Sequence, residues 1–222
     1  GPLRSAGSGK VFTDVASVKG NLWRTAVSAN GGCMPANVNL GHPIAGSERS
    51  GVAAADAGMF NDHRVILTPV EGNDDAAVAT VRAMWECTGA EVLELAVGDH
   101  DDILAATSHL PHMLAYALVD ALSANDNSRE ILRFAAGGFR DFTRIASSDP
   151  VMWRDIAIAN RAAILQAIDG FRRHLDELRH AIDEGASEDL LQTFMRAKVV
   201  RDEFTSGLLG SDRARSNAAG VE

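Results

Sequence analysis

The sequence predicts an α/β portion over residues 1–98, followed by an all-helical portion over residues 99–206. Two observations lead to this fold class. Short runs rich in Val, Ile and Leu alternate with helical segments in the first half only, and the second half contains no convincing strand. The remaining residues, 207–222, have the polar composition of a disordered tail.

Four strand-length apolar runs mark the α/β portion. A helical segment separates the last two, because Val78, Val81, Met84 and Trp85 recur at helical spacing and Gly89 provides a stop. The order strand, helix, strand is typical of a parallel sheet. The four runs are residues 10–15 (KVFTDV), 36–44 (ANVNLGHPI), 64–70 (RVILTPV) and 91–97 (EVLELAV).

The second half reads as a series of helices. Residues 99–123 are predicted to form a helix that bends or restarts at Pro111. Asp149 followed by Pro150 favours a helix start, with Asp as the N-cap and Pro in the first turn, and this helix is expected to run to about Glu184. A last helix is predicted over residues 187–204.

The long helix carries apolar residues at alternating steps of four and three, which is the heptad pattern of a packed helix seam. The pattern suits the core of an internal bundle and a subunit interface equally well, and both interpretations stay open at this point. The seam consists of Ile164, Ile168, Phe171, Leu175, Leu178 and Ile182.

Bulk composition excludes several classes of protein. The 222 residues carry a net charge of −9, which argues against nucleic acid or an anionic membrane as the main partner. No run of about 18 apolar residues is present, so no membrane-spanning helix is expected. Two cysteines, Cys33 and Cys87, do not form a disulfide framework, which favours a reducing cytoplasm.

The stretch ATSHLPHMLAYALVD (residues 106–120) places polar side chains at the head of an apolar helix. Ser108 and His112 are four residues apart and share one helix face. A metal site would use His109 and His112 as a pair, but it needs further ligands, and the sequence has no HExxH pattern or cysteine cluster. The alternative is structural, with His109 as a capping or surface residue and His112 as a satisfied core histidine.

The stretch GGFRDFTRIASSDPVMW (residues 137–153) holds two arginines at the same four-residue spacing. Arg140 and Arg144 repel each other on one helix face unless an anion lies between them, and a carboxylate or phosphate matches their planar donors. The alternative is that they form surface salt bridges with nearby aspartates, namely Asp141, Asp149 or Asp155.

Two further stretches lie at predicted strand ends, where open α/β sheets place their ligands. GHPIAGSERSG (residues 41–51) contains His42, which could act as a base near neutral pH or could be an exposed turn residue. TDVASVKG (residues 13–20) supplies Asp14, Ser17 and Lys19. By contrast, GSGKVF (residues 7–12) only half matches a phosphate-binding glycine turn, and we read it as an ordinary turn.

In this order, the four polar stretches together resemble the prephenate/arogenate (cyclohexadienyl) dehydrogenase family of tyrosine biosynthesis, over residues 11–204. The resemblance implies a partial Rossmann-like parallel sheet followed by a helical dimerisation domain. It therefore favours the interface interpretation of the heptad seam, with a homodimer formed through the helical domain.

Members of this family open with a strand and a GxGxxG turn that binds the cofactor pyrophosphate, and the sequence does not contain that turn. The chain thus resembles the second half of a dinucleotide-binding domain plus the whole helical domain. We expect the 222 residues by themselves to bind the cofactor, NAD or NADP, weakly or not at all. An inactive dimerisation and substrate-side module is the alternative to an active enzyme.

The resemblance implies an oxidation in which a ring carbon of prephenate or arogenate gives a hydride to the cofactor, the ring hydroxyl loses its proton and carbon dioxide leaves. His42 matches the catalytic histidine, and Ser17 matches a serine that hydrogen-bonds near the nicotinamide. The expected substrate-binding residues are Ser108, His112, Arg140 and Arg144. No metal is expected.

Overall fold

The computed structural model describes residues 9–46, 51–52 and 55–207. The chain divides into two compact units, Gly1–Ile168 and Asp169–Glu222. Apart from Gly207, the predicted disordered tail lies outside the described residues, and so does part of the GHPIAGSERSG stretch.

Short strands form two small sheets in the first unit. The strands of the described residues are β1 (Phe12–Thr13), β2 (Val38–Asn39), β3 (Gly41–Ile44), β4 (Arg64–Leu67) and β5 (Glu91–Glu94). β1 pairs in parallel with β2, and the other sheet has the order β3-β4-β5 with β4 and β5 parallel. The predicted strand–helix–strand unit is therefore confirmed.

The expectation of one strand over residues 36–44 is wrong, because the run divides at Leu40. β2 continues the parallel pairing with β1, whereas β3 pairs antiparallel with β4. The sheet is thus mixed rather than wholly parallel. Pro43 cannot donate a ladder hydrogen bond, and it is accommodated because β3 is an edge strand of the sheet formed by the described residues. His42 consequently lies within a strand and not in a turn that follows one.

Helix α2 (Asp75–Glu86) covers the β3-β4-β5 sheet. The Asp74 carboxylate accepts a 3.0 Å hydrogen bond from the Ala76 amide, which satisfies one of the free donors at the helix start. Val81 and Trp85 are buried against Val65 and Leu67 of β4. Full burial of each large apolar side chain contributes about 1.5–3 kcal/mol, so this cluster anchors the sheet.

The remaining helices of the first unit are one helix that follows β1 and a series after β5 that is joined by short connections. A π-helical turn over Ala105–His109 interrupts the α-helix just before Pro111. The predicted restart of the helix near Pro111 is therefore present. These helices are α1 (Lys19–Ala29), α3 (Val97–Leu104), α4 (Leu110–Ser123), α5 (Ser128–Arg133), α6 (Gly137–Thr143), α7 (Pro150–Ala159) and the start of α8 (Arg161–Asp183).

The predicted helix start at Asp149 is confirmed, but the helix does not continue to Glu184. The Asp149 carboxylate accepts hydrogen bonds from the amides of Val151 (2.7 Å) and Met152 (3.1 Å). α7 then ends at Asn160, whose backbone leaves the helical region (φ −105°, ψ 32°). The side chain of Asn160 is bound by distant groups described below, and this tertiary anchor accounts for the break.

The heptad seam runs along α8, which crosses from the first unit into the second. Ile164 is buried, whereas Phe171, Leu175 and Ile182 are 37%, 52% and 65% exposed. The last helix, α9 (Ser187–Thr205), has no buried residue. Across the described part of the chain, no helix is both long and apolar enough to cross a membrane.

Candidate active site

The N-terminal end of α1 brings a buried cation next to Gly41, the residue before His42. Lys19 has no exposed surface, pairs with the Asp14 carboxylate and donates to the carbonyl of Gly41. Burial lowers the pKa of Lys19, while the hydrogen bond and the charge of Asp14 act in the opposite direction. Lys19 therefore ties the end of β1 to the first residue of β3, directly before His42.

A carboxylate from a distant helix caps α1. The local N-cap residue, Val18, offers no side-chain acceptor. Asp101 of α3 supplies it instead: Oδ1 accepts from the Lys19 amide at 2.9 Å and Oδ2 from the Gly20 amide at 2.8 Å. A methyl group at Gly20 would stand 2.7 Å from Oδ2, so the close approach requires glycine here.

Asp101 also binds a histidine. Its Oδ1 accepts a 2.8 Å hydrogen bond from Nδ1 of His100, which is fully buried. Burial raises the pKa of the Asp101 carboxyl, but the hydrogen bonds from His100, Lys19 and Gly20 outweigh it and hold the pKa below its usual value. Asp101 is therefore an anion at neutral pH.

His42 is the next member of this chain of contacts. Its Nδ1 lies 3.0 Å from Nε2 of His100. Burial lowers the pKa of His42 to about 3, helped by the neighbouring His100, Lys19 and His109. The half-buried ring is consequently neutral near pH 7 and has a nitrogen lone pair with which to accept a proton.

The π-helical turn directs His109 into the interior, where it is 1% exposed. Asn160 donates through Nδ2 to Nδ1 of His109 at 3.2 Å and to the backbone carbonyl of Asp101 at 2.8 Å. Burial lowers the pKa of His109 to about 4. Asn160 thus joins the start of α8 to α3 and to the π-helical turn.

His112 lies over Trp153 of α7. The two rings stack with centroids 3.6 Å apart and an interplanar angle of 19°. The Nδ1 of His112 donates to the Ser108 carbonyl at 2.9 Å, as the predicted four-residue spacing allows. Burial lowers the pKa of His112, and the positive charge of Arg144 lowers it further.

Arg140 and Arg144 lie together on the surface. They line one cavity of about 370 Å³ with Phe139, Thr143 and Ser147. Of the aspartates considered as partners, Asp149 caps α7, and Asp155 binds Arg154 at 2.8 Å. Arg140 lies in α6 and Arg144 directly follows that helix, so the two arginines border the same cavity from neighbouring turns.

Of the residues singled out in the sequence, His42 bonds to the His100 ring, His112 bonds to Ser108, and Arg140 and Arg144 line one cavity. Ser17 is half-buried and directly precedes Val18, the N-cap residue of α1. Sequence reasoning missed His100, Asp101 and Asn160, although the polar run GDHDD (residues 98–102), which begins a few residues after the end of β5, was an available signal. Within the described residues, no group of three or more His, Cys, Asp or Glu side chains is arranged to hold a metal ion.

Comparisons with family models match nearly the whole chain. Residues 4–94 match the nucleotide-binding domain of prephenate dehydrogenase, and residues 97–196 match its dimerization domain. His42 belongs to the first match, whereas His100 and Asp101 belong to the second.

Individual proteins agree with this result. The chain is 42% identical to prephenate dehydrogenase of Bacillus subtilis over 73% of this chain and 44% of that protein. It is 40% identical to cyclohexadienyl dehydrogenase of Zymomonas mobilis over 72% of this chain and 55% of that protein. The chain therefore spans about half the length of these curated relatives.

A solved structure matches a larger share of this chain than the two curated relatives do. The crystal structure of prephenate dehydrogenase from Aquifex aeolicus in complex with hydroxyphenyl propionate and NAD+ superposes with a TM-score of 0.81 at 37% identity. The match covers 87% of this chain and 67% of that one.

Proposed function

Because this chain belongs to the prephenate dehydrogenase family, we propose that its protein catalyses the NAD(P)-dependent oxidative decarboxylation of prephenate, arogenate or both. The observation that carries the proposal is the neutral, half-buried ring of His42, held through Nδ1 by His100. In this proposal Nε2 of His42 receives the proton of the ring hydroxyl.

We assign the substrate carboxylates to the cavity that Arg140 and Arg144 line. Arg140 and Arg144 line the same cavity, and each guanidinium can hold a carboxylate through two parallel hydrogen bonds. Ser108 and His112 would contact the substrate from α4. Since Nδ1 of His112 already donates to Ser108, its Nε2 must take up a proton to bind a carboxylate, and the bound anion would favour this.

The described residues fit the nicotinamide end of the cofactor. The first amides of α1 are occupied by the Asp101 carboxylate, so this helix start does not suit a pyrophosphate. The neutral ring of His42 adds no positive charge against a nicotinamide cation, the buried Lys19 is paired with Asp14, and we assign Ser17 as the hydrogen-bonding neighbour of the nicotinamide. When bound, the cofactor supplies the hydride acceptor.

We further propose a homodimer assembled through the helical region of residues 99–206, with residues 1–98 on the cofactor side. The exposed seam residues Phe171, Leu175 and Ile182 support it, since apolar side chains at heptad spacing are stabilised when a second helix covers them. The cytoplasm is the proposed location, because both cysteines, Cys33 and Cys87, are exposed free thiols.

The test is the steady-state activity of the full-length protein with prephenate and arogenate, in the wild type and in His42→Asn. We expect the variant to lower kcat by about 10²–10⁴-fold, with a much smaller change in KM. His63→Asn is the matched control, because His63 is an exposed histidine of the same half. A His42→Asn enzyme with near-normal kcat would contradict the assignment. A wild type without activity on either substrate would favour the inactive module.

A further inference from the structure

The contact between His42 and His100 crosses the boundary between the two family matches. His42 lies in the nucleotide-binding match, and both His100 and Asp101 lie in the dimerization match. The catalytic candidate is therefore held by a helix that belongs to the other part of the protein.

The hydrogen bonds that join His42, His100 and Asp101 can have only one direction when the His100 ring is neutral. A carboxylate can only accept, so Nδ1 of His100 must carry the proton that Asp101 Oδ1 receives at 2.8 Å. In a neutral His100 ring, Nε2 is then the acceptor. The 3.0 Å contact with His42 is a hydrogen bond only if Nδ1 of His42 donates.

We infer that His100 is a positioning residue that holds His42 in the tautomer with its proton on Nδ1. Asp101 sets this tautomer through its hydrogen bond with His100. The lone pair of His42 is thereby placed on Nε2. The direction of the hydrogen bonds, from His42 to His100 to Asp101, is a property of the local geometry. Its importance for turnover rests on the proposed function.

Asp101 is suited to this role because several hydrogen bonds hold its carboxylate in one position. Besides His100, it accepts the amides of Lys19 and Gly20, and the partial positive charge of the α1 start favours the anion. Asn160 holds its backbone carbonyl. The carboxylate therefore cannot turn without losing the cap of α1.

The same carboxylate balances the cations around His42. The charged and titratable groups that face His42 are His100, Lys19, His109 and Asp101. Lys19 and a protonated His42 would repel each other in this half-buried place, and Asp101 opposes that repulsion. Asp101 thus orients the neutral ring through His100, and its charge partly offsets the repulsion that a protonated His42 would meet.

The tautomer can be measured without any activity. Long-range ¹H–¹⁵N correlation spectra of the ¹⁵N-histidine-labelled full-length protein distinguish a protonated ring nitrogen from a bare one, and His42→Asn identifies the His42 signals. We expect wild-type His42 to show a single tautomer with the proton on Nδ1. Finding the proton on Nε2, which a doubly protonated His100 would enforce, overturns the inference.

Two substitutions of His100 separate orientation from packing. His100→Leu has a similar size and no acceptor, so we expect the His42 tautomers to mix and kcat to fall by about 10–10²-fold, with KM nearly unchanged. His100→Gln can place an amide oxygen near the position of Nε2, so it should restore most of the single tautomer and part of kcat. A folded His100→Leu protein with an unchanged His42 spectrum overturns the inference.

Gly20→Ala tests Asp101 without altering any polar group. The new methyl group would meet Oδ2 at 2.7 Å and displace the carboxylate, so His42 should again show mixed tautomers. Gly98→Ala is the control, because a methyl group there meets nothing within 4 Å. If Gly20→Ala and Gly98→Ala give the same His42 spectrum as the wild type, Asp101 does not set the tautomer. If the tautomer results hold but the wild type is inactive, only the proposed function fails.

Discussion

The imidazole of His112 and the indole of Trp153 stack face to face, with centroids 3.6 Å apart and planes inclined by 19°. Trp153 is 6% exposed and packs with Val18 and Ile156, so it joins the helical segment to the start of α1. Stacking on an immobile ring restricts His112 to one orientation. The first prediction concerns the effect of replacing Trp153.

Trp153→Ala should destabilise the protein by about 3–5 kcal/mol, because it removes a large buried ring and leaves a cavity. Trp153→Phe should cost less and keep part of the stack. Urea unfolding measures both, and Trp23→Ala is the control, since Trp23 is 39% exposed. Equal losses for Trp23→Ala and Trp153→Ala would show that Trp153 is not a packing centre.

Arg144→Ala should raise KM for prephenate strongly in the full-length enzyme, and Arg144→Lys should rescue it only in part. A guanidinium binds a carboxylate through two parallel hydrogen bonds, whereas an ammonium is a point charge. Loss of such a pair costs on the order of 2–5 kcal/mol. Steady-state kinetics beside a melting curve measures the effect.

Arg154→Ala is the matched control for Arg144, because Arg154 is an exposed arginine bound to Asp155 at the surface. It should change stability by about 0–1 kcal/mol and leave KM unaltered. If Arg144→Ala behaves in the same way, Arg144 has only a surface role.

Phe171→Glu should weaken the proposed dimer. Phe171 is an exposed member of the seam on α8, and a carboxylate at a covered heptad position would be buried without a partner. Light scattering at micromolar concentration should show a shift toward monomer. Gln166→Glu adds the same charge on the opposite face of α8 and should leave the dimer intact. A wild-type monomer, or no difference between the two variants, would rule out this interface.

Stability should fall as the pH decreases below about 6.5. Burial lowers the pKa of His109 to about 4, while an unfolded histidine titrates near 6.5. Between these values the unfolded chain binds a proton that the folded protein does not, so each pH unit costs up to about 1.4 kcal/mol for this residue. His42, with its pKa lowered to about 3, adds in the same direction.

His109→Gln should therefore flatten the dependence of unfolding free energy on pH between about 4 and 6.5. His174→Gln is the control, because the His174 side chain is 80% exposed. Urea unfolding at several pH values measures the slopes. Identical slopes in the wild type and both variants would contradict the buried neutral state of His109.

Much of the local structure was predictable from the sequence, because it depends on interactions between near neighbours. The caps at Asp149 and Asp74 act within three residues, and the buried face of α2 follows from helical spacing. The restart of the helix near Pro111 was predictable because proline has no amide to donate to the preceding turn. The four polar stretches indicated the family, and the comparisons confirmed it.

Only the tertiary structure decided the contacts between residues distant in sequence. The acceptor that caps α1 lies 82 positions further along the chain, so the sequence around Val18 shows no cap. The break at Asn160 follows from its bonds to Asp101 and His109, which no local pattern contains. His42 meets His100 only because β3 and α3 fold together. Local propensity determines which segments are helical or extended, and long-range hydrogen bonds determine where they end and which side chains meet.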